Sequence, residues 1–447
     1  MLSSRRLLAI VVLAFTVWVP AADVWGEPPP PLLPLSEQLR IREQWLFTRH
    51  QMMLDMMRRH EIDMWIVVNE EFHDDPLTQF IAPPRPYAGG RDYFVFIDAG
   101  EKGLRAVAIT GFAEERLRQY FESPIEPRPA SEVLPELYKE HQPQRIGLNI
   151  HGRRGVQRGL TWDTYNLISG FLGPEATSRF VGSADLIEEY LDTRIPEEHA
   201  HYTHATHVTA DIVRRALSNE AITPGKTTVG DVRNFLYDQI WKWGVRTWFQ
   251  PDLRVQKRGV PNKMSRGFLH VADESVVLER GDVIVIDFGI TYMGFDTDWQ
   301  KKGYILREGE TDAPPGLKQA MRNTNILQDT MMGIARPNMS AGEVYTRTME
   351  KMEAQGIKAQ IYSHPVGNHG HGLGTSIDFR AARRGDQTAA ARTLRPNSWI
   401  SIELNTLTPV PEWNGQEVFI MMEDVAYLTD EGYKFFRPRQ DEFFLIK

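Results

Sequence analysis

Three apolar, strongly β-forming runs each carry an acid where packing alone has no use for one: Asp287 in VIVIDF (283–288), Glu403 in WISIELN (399–405) and Glu423 in IMMEDVAYL (420–428). A carboxylate inside such a strand is costly unless it is paired, hydrogen-bonded or bound to a metal. A fold that buries these strands therefore has to bring the three acids to common partners. Asp296 and Asp298 follow Asp287 beyond a turn at Gly294, and a hairpin there swings one of them back beside Asp287. Further along, SHPVGNHGHGLG (363–374) alternates His364, His369 and His371 with glycines that let backbone approach a site closely.

The donor chemistry follows from composition. The chain has 13 His, many carboxylates and no Cys, so disulfides, thiolate metal sites and a cysteine nucleophile are excluded. Two Asp, one or two His and two Glu form an oxygen-rich set suited to a pair of divalent ions bridged by carboxylates and a hydroxide. The carboxylate majority favours Mn²⁺, with Zn²⁺, Co²⁺ and Fe²⁺ as alternatives. Such a pair activates water and polarises a carbonyl, which points to amide hydrolysis. A net charge of −8 provides no overall basic field for nucleic acid.

At 447 residues the chain is long enough for two domains. Arg5 and Arg6, the apolar run Leu7–Val19 and a small-residue break at Gly26 read as a secretory signal peptide over 1–26. That run of 13 residues falls short of the roughly 20 that span a bilayer. The expectation is an exported protein, periplasmic or secreted, with no stable span after cleavage and an exposed proline-rich leader over Pro28–Pro34.

A long helix from Leu35 precedes strand candidates at 63–68, 92–98, 104–110 and 145–150, so 27–194 reads as an N-terminal α/β domain. The acidic loop 69–76, with His73, reads as solvated. From 195 to 447 a helix, helix, strand-pair order occurs twice, the mark of a duplicated α+β architecture. His204 and His207 share one face of the first of these helices and read as part of a polar, interface-facing side.

In order and spacing, the chain from about Ile195 onward resembles the M24 metallopeptidases, which have the pita-bread fold and bind metal through Asp, Asp, His, Glu and Glu. The resemblance maps this set onto Asp287, Asp298, His371, Glu403 and Glu423, and maps the family's substrate-binding histidine onto His270. The extra N-terminal domain is similar to that of the prolidase and X-Pro aminopeptidase branch. What this implies is a dinuclear metallo-aminopeptidase or dipeptidase. Its substrate would be a peptide with proline at the second position, with Glu403 as ligand and proton shuttle and His270 on the scissile carbonyl. A homodimer or higher homo-oligomer is implied in the same way.

Three positions depart from the pattern of the family, whose ligand histidine is His371 here. The second histidine, seven residues on, reads Asp378; the residues after the first glutamate read Leu404 and Asn405; and an arginine two before the last glutamate reads Met421. His364 or His369 is then the candidate to stand in for the second histidine. Asp378 as a general base gives the alternative, a lyase or amidinohydrolase on the same fold. A metal-poor binding protein is the non-enzyme reading.

Overall fold

The structure, a computed structural model, describes residues 27–87, 89–111 and 115–447. The signal peptide reading falls on 1–26, outside the described residues. In the proline-rich stretch Pro28, Pro30, Pro31 and Pro34 are exposed as expected and Pro29 is buried, while His204 and His207 direct Nε2 at the carbonyls of Pro30 (2.9 Å) and Glu27 (3.2 Å). Those two histidines thus hold the proline-rich segment along helix Pro196–Ala216.

A five-stranded sheet has the order Leu104–Ile109, Arg91–Asp98, Met64–Glu70, Ile146–Leu148, Phe180–Gly182. The first two pairings are antiparallel and the last two parallel. Both faces are covered, which is why its central strands read as nearly continuous apolar runs. Trp65 and Val67 pack with Met53, Met56 and Met57 of helix Leu35–Arg59 and with Leu186 and Ile187 of helix Ala184–Asp192. Met64, Ile66 and Val68 face helices Ala130–His141 and Trp162–Thr177 through Leu134, Leu137 and Ile168. The methionine-rich helix is core packing.

The second sheet has nine strands. Its main path runs Ile377–Asp378, Lys358–Pro365, Trp399–Val410, Gln416–Thr429, Trp299–Ile305, Val283–Phe288, Asp252–Gln256. Helices Pro196–Ala216 and Val229–Trp243 back one half, and helices Pro315–Ile334 and Ala341–Ala354 back the other, so the helix, helix, strand-pair unit does occur twice. The two-residue period of the strands then sorts the side chains. Ile284, Ile286 and Phe288 pack against the first helix pair, and Ile402, Leu404, Ile420 and Met422 against the second. Asp287, Glu403 and Glu423 alternate with these residues and must emerge on the opposite, open face.

Candidate metal centre

Strand register brings the acids into line. Asp252 pairs with Asp287, Asp287 with Gln300, Gln300 with Glu423, and Glu423 with Glu403, so five polar residues cross five adjacent strands in one row. Residues paired across a ladder share a face, so the row points into one cavity. Asp298 enters from the hairpin Val283–Phe288 to Trp299–Ile305, where Gly289 leaves room: a Cβ there would lie 1.9 Å from the Thr297 carbonyl oxygen. Asp296 does a different job, accepting from Thr291 Oγ1 (2.5 Å) and from the Gly370 N–H (2.6 Å), which ties the histidine-rich loop to the hairpin.

His364 ends strand Lys358–Pro365 opposite Ser401, and its Nε2 lies 3.6 Å from Asp298 Oδ2, 3.4 Å from Glu403 Oε2 and 3.4 Å from Glu423 Oε1. Its Nδ1 is 3.0 Å from the Pro365 carbonyl and donates its proton there, so Nε2 is the nitrogen presented to the acids. Three overlapping groups of donor atoms lie within 4.8 Å of one another: Asp287, Asp298 and Glu423; His364, Glu403 and Glu423; and Asp298, His364 and His371. His371 therefore borders the cluster on one side, while His364 sits in its middle.

Electrostatics show how strained the bare acids are. Burial, followed by repulsion from neighbouring carboxylates, pushes Asp287 and Asp298 well above the usual carboxylate range and Glu403 up to about 7. Burial opposes a proton on His364, yet Glu403 and Glu423 outweigh it and raise the imidazole to about 10. Asp287 Oδ1 and His364 Nε2 are buried and make no hydrogen bond. Orphaned donor atoms of this kind among oxygen ligands are what a divalent cation satisfies.

Surrounding residues fix the acids. Gln300 Nε2 donates to Asp287 Oδ2 (3.0 Å) and Glu403 Oε1 (2.6 Å), and Ser401 Oγ donates to Glu423 Oε1 (2.5 Å). Behind them Lys301 is fully buried and donates to the Glu423 carbonyl (2.7 Å) and Asp424 Oδ1 (2.5 Å). Sequence reasoning missed Gln300, although its place two residues after Asp298 on a strand was a usable signal. Arg254 was also missed; it lies 3.6 Å from the sulfur of Met421, supplying a guanidinium where the family arginine is absent.

The remaining candidates are placed as follows. His371 lies seven residues after His364, its ring 4.5 Å from that of His364 and 5.1 Å from Trp248. It is exposed at the cavity edge, and partial desolvation there, followed by the charges of His364, Arg154 and Arg380, pushes its pKa down. His369 is drawn away to meet Phe80 edge to face, 5.4 Å between centroids. Asp378 lines the cavity but caps helix Phe379–Arg384 and is held by the Arg380 guanidinium at 2.7 Å. His270 is exposed, bonds its neighbour's carbonyl at 2.5 Å, and lines a separate cavity with Lys257 and Asn262.

The model of metallopeptidase family M24 matches residues 200–430, just over half of the chain, and the chain belongs to that family. Solved structures agree on the fold. An X-Pro aminopeptidase from Thermotoga maritima is 17% identical, with 88% of this chain and 99% of that one covered at a TM-score of 0.63. An Xaa-Pro dipeptidase from Bacillus anthracis is 17% identical, with 90% and 100% covered at 0.64. A His350Ala variant of Escherichia coli aminopeptidase P is 15% identical, with 89% and 96% covered at 0.60. No curated protein sequence matches the chain. The architecture is the pita-bread fold with an N-terminal α/β domain, and the chain is a hydrolase of the peptidase class. Among the described residues no helix is long and apolar enough to cross a membrane.

Proposed function

We propose that the protein hydrolyses the bond between an N-terminal residue and proline, using two divalent ions, Mn²⁺ first among the candidates. Asp287, Asp298, His364, Glu403 and Glu423 would hold them. The observation that carries this reading is His364 Nε2, aimed at three carboxylates with no hydrogen bond of its own. With His364 as the ligand, the family's second histidine, seven residues on, falls on His371, and Asp378 leaves that role. When bound, the ions supply Lewis acidity toward the scissile carbonyl and acidify water.

The chain's own residues do the rest. Gln300 orients Asp287 and Glu403. Glu403, whose Oε2 lies 3.4 Å from His364 Nε2, is placed to carry a proton from water toward the leaving proline nitrogen. His371, at the cavity edge with its ring 4.5 Å from that of His364, offers an N–H to the developing oxyanion. Asp378 is already held by Arg380, which counts against the lyase or amidinohydrolase reading. The similarity to structures of an X-Pro aminopeptidase and an Xaa-Pro dipeptidase supports the proline preference. We further propose an exported, homo-oligomeric protein.

The test is an assay of the Mn²⁺-loaded chain on Xaa-Pro dipeptides and Xaa-Pro-Yaa tripeptides, with bound metal counted by elemental analysis. Cleavage of dipeptides alone marks a dipeptidase, and N-terminal cleavage of tripeptides an aminopeptidase. Two bound ions with neither peptide cleaved would refute the proposal.

A further inference from the structure

The strands that carry the metal ligands also carry polar groups one step further from them. Strand Lys358–Pro365 puts Gln360, Tyr362 and His364 on one face, and strand Trp399–Val410 does the same with Ser401, Glu403 and Asn405. The register pairs His364 with Ser401 and Gln360 with Asn405, which sets Tyr362 opposite Glu403. Tyr362 is therefore the neighbour of His364 along its own strand and of Glu403 across the ladder. It is buried and lines the same cavity, of about 710 Å³, as the acids and His364.

Packing fixes the Tyr362 ring. Phe268 and Phe379 meet it edge to face, with centroids at 4.8 and 6.2 Å. Its oxygen is fixed as well, because Asn405 Nδ2 donates to Tyr362 Oη (3.2 Å) and to Gln360 Oε1 (3.3 Å). Asn405 is one of the departures from the family pattern, and orienting Tyr362 gives that departure a use. A phenol has one proton to give and titrates at about 10, so it is protonated near neutrality. With Oη accepting from Asn405, that proton needs an acceptor elsewhere, and among the described residues Tyr362 makes no other hydrogen bond. The adjacent Glu403 is already engaged: Oε1 takes Gln300 Nε2 (2.6 Å), and Oε2 faces His364 Nε2 (3.4 Å). A buried, oriented O–H without an acceptor costs free energy unless a ligand supplies one.

We infer, resting on the peptidase reading above, that Tyr362 is a catalytic residue whose O–H donates to the scissile carbonyl oxygen as negative charge develops there. Asn405 is the positioning residue that turns the phenol toward that oxygen. Tyr362 keeps its proton throughout, so the oxyanion gains a second donor beside His371 and no bond of the phenol is broken. The oxygen carries full charge only near the transition state, so the contact acts there more than on the bound substrate.

The test uses the Mn²⁺-loaded full chain, with bound Mn²⁺ counted in every variant. Tyr362→Phe keeps the ring and removes only the O–H. It is expected to lower kcat on an Xaa-Pro peptide about 100-fold, with KM within about threefold of the unaltered chain. Two Ala-Pro analogues, bound in a calorimeter, separate transition state from ground state. A phosphinate at the scissile position carries the tetrahedral oxygens and should lose about 100-fold in affinity for Tyr362→Phe. A methylene-amine has no oxygen there and should bind both proteins alike. Asn405→Asp keeps the shape but makes the residue an acceptor that captures the O–H. It should lower kcat in the unaltered chain and add little in the Tyr362→Phe background. An unchanged kcat in Tyr362→Phe, an equal loss for both analogues, or a loss matched by missing Mn²⁺ overturns the catalytic role. An Asn405→Asp loss that persists in full without the Tyr362 hydroxyl overturns the positioning role. If the unaltered chain cleaves no Xaa-Pro peptide, the peptidase reading fails; cleavage that Tyr362→Phe leaves untouched sinks this inference alone.

Discussion

Replacing His364 by alanine and, separately, His371 by alanine separates a ligand from a neighbour. His364 Nε2 has three carboxylate oxygens within 3.6 Å, whereas His371 reaches the cluster only past His364 and Asp298. Loss of His364 should weaken the ion it holds by about 100-fold, about 2.8 kcal/mol at 1.4 kcal/mol per tenfold. The effect on folding follows by linkage. At Mn²⁺ about 100 times the wild-type Kd the bound state gains about 2.7 kcal/mol, whereas His364→Ala at the same concentration gains about 0.4 kcal/mol. His371→Ala should keep most of the wild-type gain and lose about 10²- to 10³-fold in kcat, as expected for an oxyanion donor. Metal titration by calorimetry and thermal melts with and without Mn²⁺ read both quantities. Metal binding lost in His371→Ala and kept in His364→Ala would refute the assignment.

Other predictions follow from the same geometry. In the metal-free protein Asp287, Asp298 and Glu403 have pKa values raised above their unfolded values, so their contribution is fully present below about pH 4 and is lost as pH rises through the folded values, with Glu403 at about 7. His364, raised to about 10, acts in the same direction. Melts of chelator-treated protein should therefore show a Tm that falls from pH 5 to 8, with Mn²⁺ rescuing more at pH 8; a flat or rising Tm would contradict this. Lys301→Met strands the buried Asp424 carboxylate and should cost about 3–5 kcal/mol in urea unfolding, which Asp424→Leu in the same chain should largely restore. Gly370→Ala puts a Cβ 2.2 Å from the Trp248 ring at a φ of +60°, so stability should fall by about 1–3 kcal/mol and activity with it; an unaltered variant would show that the loop gives way freely.

The acids were legible in the sequence because a two-residue strand period leaves one face for Asp287, Glu403 and Glu423 while Ile286, Leu404 and Met422 take the other. Four strands of the N-terminal sheet were legible as apolar runs, whereas Phe180–Gly182, a short edge strand with no fully buried residue, carried too little pattern to be read. The histidine was harder. His364, His369 and His371 share a glycine-rich stretch in which motif matching alone admits more than one register. What distinguishes His364 is its place at the end of strand Lys358–Pro365, pinned to Ser401, while His369 is carried off by Phe80. His270 keeps the family's spacing to Asp287, but the chain between them turns it toward another cavity. Gln300 and Arg254 act across neighbouring strands, and cross-strand register is not written in either strand alone.

Anomalous diffraction from crystals soaked in Mn²⁺ bears most directly on the central claim. The account predicts two peaks, one among Asp287, Asp298 and Glu423 and one in contact with His364 Nε2. No peak in the cavity, or a single ion held by His371 with His364 unliganded, would contradict it.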